Sequence, residues 1–142
     1  CRFNGHSRCF YSVAEHSMRV SKILPNRLAL QGLLHDAAEA YVGDSSRPYK
    51  SLFPEIQALE DKIQAMIYRK FGVDAEGKEE VQKADDVMLA TEARDLMGLS
   101  TSDLCVWGLI EKPLSSQIHP VPPKSAEWSF LSTFEALTAD RG

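Results

Sequence analysis

The residues best suited to chemistry stand in the run Leu33-Leu34-His35-Asp36-Ala37-Ala38-Glu39-Ala40. A histidine and an aspartate are adjacent in an otherwise apolar helical stretch, and a glutamate follows the histidine by four residues. The pair comes after Leu30, Leu33 and Leu34, so it is expected to be drawn inward with them. Buried ionisable groups are costly unless paired or bound to a metal. A divalent cation would satisfy both His35 and Asp36, and Glu39 would lie one turn along on the same helical face. Two more sites of the same chemistry follow the same pattern. His16 lies in Ser12-Val13-Ala14-Glu15-His16-Ser17. Asp85 lies in Gln82-Lys83-Ala84-Asp85-Asp86-Val87, four residues after Val81, and should point partly inward. Singly these signals are weak: a lone helix histidine is more often a hydrogen-bonded structural residue, and an Asp-Asp pair is usually solvated. In combination they describe imidazoles and carboxylates converging from separate helices on one metal. A His/His/Asp/Asp set suits zinc, manganese, cobalt, nickel or iron(II), and does not choose among them.

The elements that must position these residues read as helical throughout. Residues 11–24 carry Val13, Val20, Ile23 and Leu24 at helix-like spacing and end at Pro25-Asn26. Residues 27–42 form a second Leu/Ala-rich helix stopped by Gly43, and 44–50 read as a turn. A third helix over 53–71 carries Ile56, Leu59, Ile63, Met66 and Ile67 at three- and four-residue intervals, with Gly72 as its stop. A fourth covers 79–97, with Val81, Ala84, Val87, Met88 and Ala90 as its buried stripe. The pattern breaks over 98–124 around several prolines, where Trp107 to Ile110 could be a short helix or an extended piece. A last helix covers 125–138, with Ser125 as a candidate cap and Trp128, Leu131, Phe134 and Leu137 facing inward. No stretch alternates with period two. The expectation is an all-α, compact single-domain helical bundle over residues 1–142.

Composition narrows the functional classes. The chain has 142 residues, 25% charged and 44% hydrophobic, within the globular range. A net charge of -4 argues against a broad surface for a nucleic-acid polymer. No apolar run approaches the ~20 residues that span a bilayer. Cys1, Cys9 and Cys105 are odd in number and unpaired in spacing, which suits neither a disulfide framework nor a zinc knuckle. The expected setting is the reducing cytoplasm, or a host cytoplasm if a phage encodes the chain. The start at Cys1 rather than Met suggests a trimmed N-terminus.

His16, His35-Asp36 and Asp85 resemble the H…HD…D signature of the HD-domain metal-dependent phosphohydrolases. The likeness extends beyond the signature. Tyr11-Ser12-Val13-Ala14-Glu15-His16-Ser17 is similar to the first-ligand helix of the 5′-deoxynucleotidase branch. His35-Asp36-Ala37-Ala38-Glu39-Ala40-Tyr41-Val42-Gly43-Asp44 is similar to its second motif. Pro48-Tyr49-Lys50 resembles its Pro-x-Lys, and Lys83-Ala84-Asp85 its last ligand. Arg2-Phe3 resembles an Arg-aromatic pair near the start, with Phe where deoxynucleotidases often have Trp. These motifs span most of positions 2 to 95. Arg2-Phe3-Asn4-Gly5-His6 and Leu89-Ala90-Thr91-Glu92-Ala93-Arg94-Asp95-Leu96 are similar to compact phage-type members, which include dATP triphosphohydrolases.

The resemblance implies an HD-type bundle whose metal ligands are His16, His35, Asp36 and Asp85. Such an ion would stabilise phosphate charge and lower the pKa of water. Asp36 and Glu39 are the expected catalytic carboxylates, Glu39 positioning or deprotonating the attacking water. Arg2 would clamp phosphate, Lys50 and Lys83 would contact it, Phe3 would stack on base or sugar, and Asp44 would accept from a deoxyribose hydroxyl. His6 lies near the same region, whereas His119 suits the surface. The implied reaction splits the 5′-oxygen–α-phosphate ester of a deoxynucleotide, foremost dATP to deoxyadenosine and triphosphate. Hydrolysis of dNMPs is the alternative, followed by nucleotide binding without turnover. Mg²⁺ could arrive with a triphosphate. The family also implies a homo-oligomer, with the third helix or the tail as the contact.

Overall fold

In the computed structural model, which describes residues 1–74, 76–100, 102, 103, 108 and 110–139, Ser12 begins the first helix. Its side chain accepts a hydrogen bond from the Glu15 amide at 3.1 Å, capping α1 (Val13–Ile23). Pro25 then starts α2 (Asn26–Leu33). The two helices approach closely at Gly32, where an added Cβ would lie 2.3 Å from Leu24 Cδ1 and 3.4 Å from Ser21 Cα. Ser21 Oγ donates to the Ala29 carbonyl at 2.7 Å across the same contact. Then come α3 (Glu39–Val42), α4 (Arg47–Leu52), α5 (Pro54–Lys70), α6 (Lys78–Glu92) and α7 (Pro123–Thr138). The described residues contain no strand, so the all-α bundle expected from the periodicities is what forms.

Helix α1 packs on α2, α6 and α7, and α2 also meets α6 and α7. The core between them holds Tyr11, Val20, Ala84, Met88, Leu96 and Ile118. Helix α6 ends in a π-type turn, Ala93–Met97, that Gly98 terminates with a φ of 71°. No helix among the described residues is long and apolar enough to cross a membrane.

Four expectations need correction. The second helix does not run to Val42. It breaks after Leu33, because His35 Nδ1 bonds the Gly32 carbonyl at 2.7 Å, the acceptor that a continuing helix would give to the Asp36 amide. The amides of Ala37, Glu39, Ala40 and Tyr41 bond carbonyls three residues back. With three residues per turn, Glu39 shares a side with Asp36 rather than with His35. Second, the expected turn over 44–50 becomes helical from Arg47, with a proline in its first turn, where a missing N–H costs nothing.

Third, α5 begins and ends one residue inside the expected 53–71, and its apolar stripe is not in the core. Leu59 and Met66 are 50% and 55% exposed, and Ile56, Ile63 and Ile67 are half-buried. Polar side chains face the bundle instead. Gln64 Nε2 donates to the Leu34 carbonyl at 2.7 Å, and its Oε1 accepts from the Ala38 amide at 3.1 Å. Helix α5 thus satisfies backbone groups at the break in the preceding segment. Fourth, α7 starts at Pro123, so Ser125 lies inside it rather than capping it. Trp128 and Leu131 point outward, while Ala126 is buried. Phe134 and Leu137 are half-buried as expected. Phe134 meets Phe71 edge-on at 5.1 Å between centroids. Cys1 and Cys9 are free and exposed. Cys105 and the Trp107 end of the 107–110 segment lie outside the described residues.

Candidate metal centre

His16 is fully buried on α1. His35 and Asp36 follow the end of α2, and Asp85 stands on α6. Their ligating atoms meet. His16 Nε2 lies 3.2 Å from His35 Nε2, 3.1 Å from Asp85 Oδ1 and 3.5 Å from Asp36 Oδ2. His35 Nε2 lies 3.3 Å from Asp36 Oδ1 and 3.7 Å from Asp85 Oδ1. Donor atoms of His16, His35 and Asp85 all fall within 4.8 Å of one another, a spacing that can hold a metal ion.

The chemistry of this donor set fits a cation. The far nitrogen of each ring is already engaged: His16 Nδ1 with Glu92 Oε1 at 2.5 Å, and His35 Nδ1 with the Gly32 carbonyl at 2.7 Å. A carboxylate and a carbonyl accept there, so each ring carries its proton on Nδ1 and turns the Nε2 lone pair to the common point. Two lone pairs and two carboxylates facing one another leave a gap in charge that only a proton or a cation fills. Burial and the Arg2 charge both oppose protonation of His16, yet Glu92 and Asp85 outweigh them and push it up to about 9. Burial alone would raise Asp85, but its bonds to His16 and His35 hold it well below the usual carboxylate range. Glu92 is likewise held down, by His16 and Arg2 against its burial.

Arg2 closes the other side of the cluster. Its guanidinium lies 3.1 Å from Asp36 Oδ2 and 3.3 Å from Glu92 Oε2, and only 9% of its side chain is exposed. The following residues Phe3 and Asn4 adopt left-handed backbone angles, φ 57° and 50°. For a bulky residue such as Phe this is a strained conformation. The Arg2 amide bonded to the Tyr11 carbonyl at 2.9 Å and the His6 amide bonded to the Phe3 carbonyl at 3.0 Å hold the turn in place.

The cluster opens into a cavity of about 780 Å³. Asp36, Glu39, Asp44 and Asp85 line it together with Arg2, Lys50 and His6. Phe3, Asn4, Leu89 and Met97 supply apolar and amide surface. Glu39 Oε2 is buried there with no hydrogen-bond partner. Burial, Asp36 and Asp44 push the Glu39 carboxyl up to about 8. Lys50 Nζ is paired with Glu60 of α5 at 2.7 and 2.8 Å.

The sequence-predicted residues therefore gather in one place, with one exception. Lys83 does not line the cavity. Its side chain is 69% exposed, and Glu111 is 3.9 Å away. Two positions along a helix are about 200° of rotation, so adjacency to Asp85 turns Lys83 away from the site. Sequence reasoning also missed Glu92. It is fully buried and sits two helical turns after Asp85 on the same face. An acid at that spacing, flanked by Ala90, Thr91 and Ala93, was the available signal.

An all-helical bundle with a part-buried cluster of His16, His35 and Asp85, Asp36 beside it, next to a cavity is thus the class that fold and site define. No family model matches the chain. It is 40% identical over 141 residues to the uncharacterized protein YfdR of Escherichia coli strain K12, an alignment covering 97% of this chain and 78% of that one. The chain belongs to the family of that protein. An uncharacterized protein of Rhodobacter capsulatus is 32% identical over 116 residues, 72% of this chain and 59% of its own length.

Proposed function

We propose that this chain is a divalent-metal-dependent phosphohydrolase that cleaves the 5′-oxygen–α-phosphate ester of a deoxynucleotide, with dATP as the leading substrate. The supporting observation is the meeting of His16, His35 and Asp85 at one point, with Asp36 3.5 Å and 3.3 Å from the two imidazoles, next to the cavity that Asp36 and Asp85 line. These four residues would hold the ion, and zinc, manganese, cobalt, nickel and iron(II) all suit them. When bound, the ion neutralises phosphate charge and acidifies water.

The residues around the cluster divide the remaining work. Four carboxylates, Asp36, Glu39, Asp44 and Asp85, line the cavity against Arg2, Lys50 and His6. Arg2 and Lys50 are already paired with acids of the chain, so a phosphate meets a net negative wall unless cations accompany it. A nucleoside triphosphate carrying Mg²⁺ answers that need. Glu39 faces the cavity with an unpartnered oxygen, and its carboxyl is pushed up to about 8, so that once ionised it is a stronger base toward water than an ordinary carboxylate. The leaving 5′-oxygen needs a proton, and His6 is the candidate donor from the cavity wall. Phe3 offers an aromatic face to the base or sugar, and Asp44 an acceptor for a deoxyribose hydroxyl.

The test is to load the protein with each metal, incubate it with dATP and separately with dAMP, and separate the products. Deoxyadenosine and triphosphate from dATP support the proposal. Turnover of dAMP alone assigns the site to a 5′-deoxynucleotidase. Binding without turnover of either nucleotide makes it a sensor and contradicts the hydrolase assignment.

A further inference from the structure

A second cavity, of about 170 Å³, shares no lining residue with the first. It lies where α2 meets the segment between α5 and α6, and Gln31, Asp74 and Glu76 line it. Gln31 is only 4% exposed, yet among the described residues its carboxamide has no hydrogen-bond partner. A buried amide is costly unless something in the cavity answers it. Gly77 keeps the space beside it. The Gly77 backbone, at φ -92°, is open to any residue. An added Cβ there would run into the Leu28 side chain and lie 2.9 Å from Gln31 Oε1. The missing side chain thus leaves room for the amide oxygen at the cavity wall.

Charge indicates what the cavity takes. Among the described residues, Asp74 and Glu76 form no ion pair. Arg27 also lines the cavity, but its guanidinium lies 2.7 Å from both Glu80 oxygens and is matched there. Two uncompensated carboxylates and a neutral amide oxygen remain. An anion would meet like charge, and an apolar ligand would leave the amide unanswered. The positive end of α6 at Gly77 works against a cation, and Glu79 and Glu80 in its first turn offset it. Among the described residues, no imidazole or thiolate lines the cavity to favour a transition metal. An oxygen set that mixes carboxylate with carboxamide suits calcium, whose coordination is flexible and takes Gln carbonyls, whereas magnesium requires a near-ideal octahedron. We propose that Gln31, Asp74 and Glu76 form a calcium site separate from the histidine–aspartate cluster. The cavity has room for waters, at about 30 Å³ each, to complete the shell. An ion held there ties α2 to the segment that leads into α6. The site stands whether or not the chain is a hydrolase.

Calorimetric titration of the full chain with calcium chloride tests the proposal without reference to activity. One ion per chain is expected, with a dissociation constant of about 10⁻⁴–10⁻³ M, because only two carboxylates contribute. Calcium at about 10 mM should raise the melting temperature by about 4 °C. Asp74→Asn combined with Glu76→Gln should lose at least about tenfold in affinity, and the thermal shift with it. Both side chains are exposed, so the helical circular dichroism spectrum is expected to stay unchanged. Gln31→Met, which keeps the carboxylates, should bind calcium about threefold more weakly. If Gln31→Met does not fold, the carboxylate variant decides. A wild type that binds no calcium at millimolar concentration overturns the proposal. So does binding that survives neutralisation of both carboxylates, or binding that a folded Gln31→Met variant keeps at full strength.

Discussion

The histidine–aspartate cluster and helix α5 solve opposite problems with similar helices. In the cluster, polar groups are buried and each is held by a second contact: Glu92 on His16, the Gly32 carbonyl on His35, Arg2 on Asp36. In α5, apolar groups are left in solvent while Glu60, Gln64 and Tyr68 turn inward. The buried acid and imidazole groups could not remain without compensation, so their placement points to a ligand. The exposed leucine and methionine form an apolar surface that the chain's own core leaves open.

The sharpest way to break this contrast is to delete one ligand. Asp36→Ala is expected to lower divalent-metal affinity by more than about 100-fold and to abolish turnover, read by calorimetric titration and product analysis. Retained metal binding would remove Asp36 from the centre. Glu39→Gln should keep the metal and lose about 10²- to 10⁴-fold in rate, because a base is removed and no ligand is. Loss of metal in that variant would make Glu39 a ligand instead. Glu92→Gln should weaken metal affinity by about 10- to 100-fold, since the partner that orients the His16 ring becomes neutral. An unchanged affinity would reduce Glu92 to a packing residue.

The cation-free cluster should also show itself in stability against pH. His16 titrates near 9 in the fold against an ordinary 6.5. A raised value means that the protonated ring stabilises the folded chain, fully below pH 6.5 and progressively less as pH rises to 9. Chelator-treated protein is therefore expected to melt at a lower temperature above pH 9 than below pH 6.5. Metal affinity should run in the reverse sense and strengthen over that window, because the proton and the cation compete for one nitrogen. Melting temperatures that do not move across the window would contradict the proton-for-cation exchange. The smallest effect is expected at Lys83→Ala, an exposed side chain whose loss should leave rate and stability within about 0.5 kcal/mol of wild type.

Much of the site could be read before the fold was known, and the reason differs from residue to residue. His35-Asp36 stood out because ionisable residues interrupted a Leu/Ala run, and burial makes such an interruption costly. His16 and Asp85 became legible only as a set. Their helices were readable from periodicity, and α1, α5 and α6 have nearly the expected bounds. The break at Leu34 was hidden because it depends on a side chain taking a backbone acceptor, which propensity does not report. Lys83 was misplaced because sequence adjacency was taken for spatial adjacency. The stripe of α5 was read correctly as an apolar face, and the chain's own core leaves its Leu59 and Met66 exposed. Periodicity shows that a face is apolar, not what meets it. Trp128 and Leu131 on α7 were expected to face inward and are exposed, whereas Phe134 finds Phe71 within the chain.

The most direct measurement is anomalous diffraction from crystals grown with a single divalent metal, collected on both sides of its absorption edge. One peak per chain within about 2.0–2.2 Å of His16 Nε2, His35 Nε2 and the carboxylates of Asp36 and Asp85 is the expected result. A crystal in which the four side chains remain together and no peak lies between them would contradict the metal centre.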